Sequence, residues 1–381
     1  MNIVDLFSGC GGLSLGFQRE GFNIVAAFEW WDAAVNCYKA NFSHPVYKVD
    51  LSDVESAVSI IKNFSPDMII GGPPCQDFSH AGKRIEASRA SLTDSFAQIV
   101  SSIRPKCFVM ENVDRARNSK AYASARNIFK LADYGLTEVV LDASYCGTPQ
   151  KRKRFICFGM QKQPDGFALE LFQDAISNKA ITLRDYFGDS LGFEFYYRHP
   201  RNYNRRAVFS IDEPAPTMRG VNRPIPKGYL GHPNDACPIS NSVHVLTTAE
   251  RSLIQTFPKD FIWVGSKTDI EQMIGNAVPV NLASFVARIV KKSIMSENAD
   301  MLDVQRFKTW LEGNTTYSHA VISDTISRLK RADSILDLSE EEVYLFYLER
   351  ESEYKKLSMS VRSQIKKAVK LYLQYKSVIA E

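Results

Sequence analysis

Between residue 1 and about residue 160 the chain repeats one pattern, a short apolar run followed by a longer stretch with helical spacing. The runs are Ile3 to Phe7, Ile24 to Phe28, Met68 to Ile70, Cys107 to Met110, Thr137 to Leu141 and Phe155 to Gly159. Runs this short and apolar suit strands buried on both faces, with the intervening helices covering those faces. The alternation therefore predicts an α/β fold with a doubly wound sheet. Ligands of such sheets bind beyond the carboxyl ends of the strands, so polar residues just after each run carry the functional information.

The run Met68, Ile69, Ile70 breaks at once into Gly71 to Ser79, GGPPCQDFS, with Cys75 behind Pro73 and Pro74. A strand broken by Gly and Pro should end in a rigid loop that projects one thiol from the sheet edge, a nucleophile's position. The commonest fate of a free cysteine is to be a small buried hydrophobe. Two prolines followed by Gln, Asp and Ser make a poor core segment and favour the reactive reading. The seven cysteines are scattered without any C-x-x-C pair, which argues against a disulfide framework or a zinc site. No metal is expected.

The first run leads into DLFSGCGGLSLGF, Asp5 to Phe17, where glycines at 9, 11 and 12 enter a helix and let backbone amides approach a ligand. Many nucleotide-binding folds and some plain turns share such a feature. Two acids sharpen it: Glu29 ends the second run and precedes Trp30, and Asp50 ends a third (Val46, Tyr47, Val49). Carboxylates at these strand ends could hold ribose hydroxyls and an adenine amino group, with Trp30 as a stacking face. Glu111, in FVMENV, should sit at the same edge near Cys75. There a partly desolvated carboxyl could stay protonated and act as an acid, or could simply cap a helix or join a salt bridge. Alternation in QKRKR, Gln150 to Arg154, puts Arg152 and Arg154 on one face with Gln150, able to fork hydrogen bonds to a base or phosphate. A charged turn is the plainer alternative.

At 381 residues two or three domains are expected. From about Lys162 to Trp263 Pro and Gly accumulate and arginines cluster at Arg198, Arg201, Arg205, Arg206, Arg219 and Arg223, interleaved with Phe195, Tyr196, Tyr197, Tyr203 and Phe209. A loop-rich insertion and a nucleic-acid surface both fit. A sheet-like pattern returns at Met273 to Val280, followed by a helix through Leu282, Phe285 and Ile289. Four helices are expected in the tail: Val304 to Leu311, His319 to Leu336, Ser339 to Leu357 and Met359 to Val378. The net charge of +4 hints only weakly at a polyanionic partner. No apolar run reaches membrane-spanning length and the N-terminus enters a strand pattern directly, so a cytoplasmic protein is expected.

DLFSGCGG, GGPPCQDFS, ENV, QKRKR and IGNAVPVNLA, in this order, resemble the DNA cytosine-5 methyltransferases of prokaryotic type, over residues 1 to about 295. The variable stretch between QKRKR and TTAERSLIQTFP lies where that family keeps its target-recognition region. The resemblance implies a catalytic domain at 1–175, a target-recognition domain at 176–264 and a return to the catalytic domain at 265–295, and the helical composition beyond it makes 296–381 a separate helical domain. It implies that Phe7, Gly9, Gly11, Glu29, Trp30, Asp50, Leu51, Pro73 and Asn276 surround S-adenosylmethionine. Cys75 would be the nucleophile, Glu111 the group on the ring nitrogen of cytosine, and Arg152 and Arg154 its companions. Gln76, Ser79 and Gly82 would lie on a mobile loop that closes over DNA, with Arg201, Arg205, Arg206, Arg219 and Arg223 along the duplex. Cys10, where Ala is usual, and Val49, where Gly is usual, depart from the pattern.

The expected chemistry is methyl transfer to carbon 5 of a cytosine flipped out of double-stranded DNA, through a cysteine adduct. The expected protein is nucleoid-associated and monomeric on DNA, with a separately encoded restriction endonuclease as a candidate partner. A tRNA cytosine methyltransferase of the same family and a catalytically inactive DNA-binding regulator are the rivals. The tail, with FKTWL, SRLKRA and VRSQIKKAVKLYLQY, is faintly similar to the core-binding domains of tyrosine recombinases. Its Arg328, Lys330, Arg331, Lys366, Lys367 and Lys370 could meet phosphate or merely decorate a packed bundle.

Overall fold

The structure, a computed structural model, describes residues 1–74, 91–200, 202, 204–240, 242–336, 338 and 343–380. They fall into two compact units, Met1–Lys292 and Ser293–Glu381.

The first unit is built on a seven-stranded sheet. Its strands are β1 (Asn2–Leu6), β2 (Asn23–Glu29), β3 (Val46–Lys48), β4 (Met68–Gly71), β5 (Cys107–Val113), β6 (Tyr134–Asp142) and, after the short β7 (Gln150–Lys151), β8 (Lys153–Gln161). The order is β3-β2-β1-β4-β5-β8-β6, with β1 to β5 parallel and β8 antiparallel to both its neighbours. From β1 the chain winds outward through β2 and β3, then returns to lay β4 on the other side of β1. The carboxyl ends of β1 and β4 therefore flank the topological switch point, where a doubly wound sheet opens a crevice.

The strands are apolar on both faces because helices cover both. Val4, Leu6, Phe28, Ile69 and Phe108 pack with Phe96, Val100 and Phe129 from the helices Leu92–Ile103 and Lys120–Leu131 in the main core. The first of these helices starts where the Ser91 side chain accepts from the Asp94 amide, which satisfies one of the donors a helix start leaves over.

A three-stranded sheet, β9 (Phe195–Tyr197), β10 (Val208–Ser210) and β12 (His244–Val245), carries its own small cores around Tyr196 and Tyr197. Between them β11 (Ala215–Pro216) pairs in parallel with β7, tying this region to the segment that enters β8.

The sheet-like reading of 273–280 is wrong. Residues up to Asn276 are the end of the helix Lys267–Asn276, nucleated by a capping box in which Ser266 and Asp269 serve each other's backbone amides. That four-residue signature outweighs a brief apolar alternation. Within Lys267–Ser296 an 18-residue window reaches a mean hydropathy of 1.4, enough by length and composition alone to cross a membrane, but 72% of that window is buried inside the protein, as in the core of a globular unit.

In the second unit, Phe307, Leu311, Ile322, Leu329, Ile365, Val369 and Tyr372 form the core. The helix expected from Val304 is the end of a continuous one, Val280–Asn314, and the one expected over Ser339–Leu357 is two short helices, Tyr344–Leu348 and Ser352–Lys355. Of the basic residues singled out there, Lys366 pairs with Glu349 at 2.6 Å and Lys367 lies over the Tyr317 ring.

Candidate active site

Past the carboxyl ends of β1 to β5 lies a cavity of about 600 Å³. Its wall draws on every one of those strand ends: Phe7 and Gly9 after β1, Glu29 and Trp30 at β2, Asp50 and Leu51 after β3, Pro73 and Pro74 after β4, and Glu111 in β5. Asn276, from the end of the helix Lys267–Asn276, completes it. Phe7 holds a left-handed backbone, φ 56°, which a bulky residue rarely adopts and which surrounding structure has to enforce.

The cofactor side is organised by Glu29. Its Oε2 accepts from the Gly9 amide at 2.8 Å, and its Oε1 from the amides of Trp30 and Trp31 at 2.7 and 2.8 Å. The carboxylate thus shapes the glycine turn as well as facing the cavity. Asp50 Oδ1 accepts from the amide and hydroxyl of Ser52, which orients that carboxylate. Trp30 is 61% exposed, so its ring face is available on the cavity wall. An available aromatic face, two oriented carboxylates and a tight glycine turn fit an adenosine-bearing cofactor in a cavity of ligand size.

Gly11 is the exception among the expected cofactor residues, since it is not on the cavity wall. It precedes the helix Gly12–Arg19 at φ 96°, and a Cβ there would collide with the Phe42 ring. Its glycine serves packing behind the turn.

On the opposite wall Glu111 pairs with Ile156 across the β5–β8 ladder, and Arg154 lies two residues further on the same face. Arg154 Nε reaches Glu111 Oε1 at 2.7 Å, with both side chains nearly buried. Burial pushes the Glu111 carboxyl above its ordinary range, opposed by the charges of Arg154 and Arg152. A buried acid held by one arginine can keep a proton near neutrality and surrender it to a basic ring nitrogen.

Arg152 also lines the cavity, but its two terminal nitrogens are committed to backbone carbonyls. It sits in the break between β7 and β8, wholly buried, and donates to the carbonyls of Met218 at 3.0 Å, Gly275 at 2.9 Å and Ala277 at 3.0 Å. Gln150 continues the clamp, taking the Met218 amide and donating to Gln255, which in turn donates to the Ile274 carbonyl. These groups lace the recognition segment, the cavity edge at 275–277 and the β7–β8 corner together.

The recognition arginines divide. Arg206 is forked onto Glu213 and Arg219 donates to the His199 carbonyl, so both are committed within the protein, whereas Arg205 and Arg223 are exposed. Cys75, Gln76, Ser79, Gly82 and Arg201 lie outside the described residues. Among the cavity residues that sequence reasoning did not name as site residues, two stand out. Asn112 donates to the Pro73 carbonyl at 3.0 Å and anchors the loop ahead of Cys75, a role the quoted ENV could have suggested. Asp5, within the glycine motif, is buried on the cavity wall, and burial pushes its carboxyl up to about 7.

The model of the C-5 cytosine-specific DNA methylases matches residues 1–292. The chain belongs to that family. It is 59% identical to the type II methyltransferase M.HindV of Haemophilus influenzae over 292 residues, covering 76% of this chain and 96% of the relative. With M.HgiDI of Herpetosiphon aurantiacus it shares 55% over 288 residues, 75% and 93% of the two chains. The fold matches that of the S. pombe Dnmt2 methyltransferase, with a TM-score of 0.57, 16% identity and coverage of 77% and 98%. The protein is thus a DNA (cytosine-5-)-methyltransferase that uses S-adenosylmethionine and acts on a flipped-out cytosine through a cysteine adduct. The family model's match ends at residue 292, where the first unit ends.

Proposed function

We propose that Cys75 is the nucleophile of this methyltransferase, with Glu111 as its proton donor and Arg154 holding that donor in place. The observation that carries the reading is the convergence of Glu111, Arg154 and the strand-end acids on one cavity, whose wall also contains Pro73 and Pro74, the residues immediately before Cys75. The Cys75 thiolate adds to carbon 6 of the cytosine while Glu111 gives a proton to the ring nitrogen, and carbon 5 becomes an enamine carbon. Bound S-adenosylmethionine supplies an electrophilic methyl group. Loss of the carbon 5 proton and expulsion of the thiolate restore the aromatic ring.

Phe7, Gly9, Glu29, Trp30, Asp50, Leu51, Pro73 and Asn276 hold the cofactor, and Arg152 positions rather than touches the base. Residues 176–264 form the target-recognition domain between the catalytic parts 1–175 and 265–295, with Arg205 and Arg223 toward DNA, and 296–381 form a separate helical domain. The names of the two relatives, both type II methyltransferases, support a restriction-modification setting. In our reading a separate endonuclease cuts unmethylated sites in the cytoplasm and the methyltransferase acts on DNA as a monomer.

The test is a covalent trap, with duplex DNA carrying a cytosine analogue that cannot lose its carbon 5 substituent. The wild-type protein should form a stable adduct, and Cys75→Ser should bind the same DNA without one. Methyl transfer by Cys75→Ser at the wild-type rate, followed with labelled cofactor, would remove Cys75 from the mechanism.

A further inference from the structure

Asp5 ends in an oxygen that the fold does not use. Its Oδ2 accepts from Ser14 Oγ at 2.6 Å, while Oδ1 is buried with no hydrogen-bond partner among the described residues. A buried carboxyl oxygen left without a partner is costly, and one on a ligand cavity's wall calls for a function.

The bonded oxygen begins a chain. The Tyr38 hydroxyl donates to Ser14 Oγ at 2.7 Å and meets His44 Nε2 at 2.7 Å. His44 is only half-buried, so the chain leads from the cavity wall toward the surface. Its polarity can run either way. With Asp5 ionised, His44 donates to Tyr38, Tyr38 to Ser14 and Ser14 to the carboxylate. With Asp5 protonated the donors reverse, and the imidazole nitrogen becomes the acceptor. Shifting one proton along each link removes a proton from the Asp5 carboxyl and adds one to His44, which hands it to water.

We propose that Asp5 distinguishes the sulfonium cofactor from its thioether product, and that Ser14, Tyr38 and His44 are the relay through which its proton leaves as the cofactor enters. The inference rests on the cofactor reading of the cavity. The cofactor carries a positive sulfur and the product a neutral one, so an ionised carboxylate on the wall favours the first over the second. This helps the product leave. The groups facing Asp5 are Glu29 from β2, which disfavours its ionisation, Ser14 from the helix Gly12–Arg19, and Tyr38 from the helix Asp32–Asn41. His44 follows that helix, and burial lowers its own affinity for a proton, so it passes the proton on rather than keeping it.

The test is calorimetric binding of S-adenosylmethionine and of S-adenosylhomocysteine to the full chain, in buffers of differing ionisation enthalpy. In the wild type the affinity ratio of cofactor to product should rise by about tenfold between about pH 6 and about pH 8, with net proton release on binding the cofactor at the acid end. Asp5→Asn should hold the ratio flat, the comparison cancelling titration of the ligands themselves. Tyr38→Phe keeps the carboxyl and the ring that stacks on Phe42 at 4.2 Å but cuts the relay, and should slow the proton release that follows mixing with cofactor by about tenfold or more, read with a pH indicator by stopped flow. A ratio in Asp5→Asn that follows the wild type at every pH would overturn the role of Asp5. Proton release at the wild-type rate in Tyr38→Phe would overturn the relay. Failure of the wild type to bind either ligand would overturn the cofactor reading together with the proposal.

Discussion

Replacing Arg152 by Met separates a clamp from a catalytic group. The methionine fills much of the volume but leaves the carbonyls of Met218 and Gly275 without the donors they have at 3.0 and 2.9 Å, and leaves Ala277 only the longer bond from Gln255 at 3.3 Å. Each buried acceptor so orphaned costs about 1–3 kcal/mol, a gross loss of about 2–6 kcal/mol. Burial already holds the Arg152 guanidinium well below its ordinary proton affinity, so relief of its desolvation offsets part of that, leaving about 3 kcal/mol. In a unit running from Met1 to Lys292 that lowers the melting temperature by roughly 5 °C. The assay is differential scanning calorimetry of the full chain, following the transition of the Met1–Lys292 unit, alongside cofactor binding at a temperature where the variant is folded. A melting temperature unchanged within error, with methyl transfer abolished, would refute the clamp and restore Arg152 to the base.

Asp5→Asn tests the buried carboxyl through stability alone. Because its native value is raised from 3.8 to about 7, the native state holds the proton longer than the unfolded chain, so stability falls as pH rises across that window. The variant lacks this slope and should gain on the wild type by up to about 4 kcal/mol between about pH 4 and about pH 8, read as melting temperature against pH. Parallel curves would contradict the shift. Glu111→Gln keeps the hydrogen bond to Arg154 but has no acidic proton, and methyl transfer should fall about 10²–10⁴-fold in single-turnover assays while cofactor affinity holds. Trp30→Ala removes the exposed stacking face and should weaken S-adenosylmethionine about 3–10-fold by calorimetry, without changing the melting temperature appreciably. An unchanged affinity would take Trp30 off the cofactor.

The strand ends and the residue types standing on them were legible in the chain itself. Apolar runs broken by Gly, Pro or an acid are local signals, and the parallel order then puts Phe7, Glu29, Asp50, Pro73 and Glu111 at one edge by topology alone. Local signals erred where another local signal was stronger, as the Ser266–Asp269 cap was over the apolar stretch at 273–280. What only the tertiary structure decided was the use of each long or buried polar side chain. Arg152 and Arg154 look alike in QKRKR, yet one meets carbonyls from positions 218, 275 and 277 and the other meets Glu111. Gly9 and Gly11 look alike in the first turn, yet one amide serves Glu29 on the cavity and the other residue makes room for Phe42. Alternation says which face a side chain leaves from, but hydrogen-bonding partners and the loss of water are contributed by segments far away in the chain, and they exist only once the chain has closed on itself.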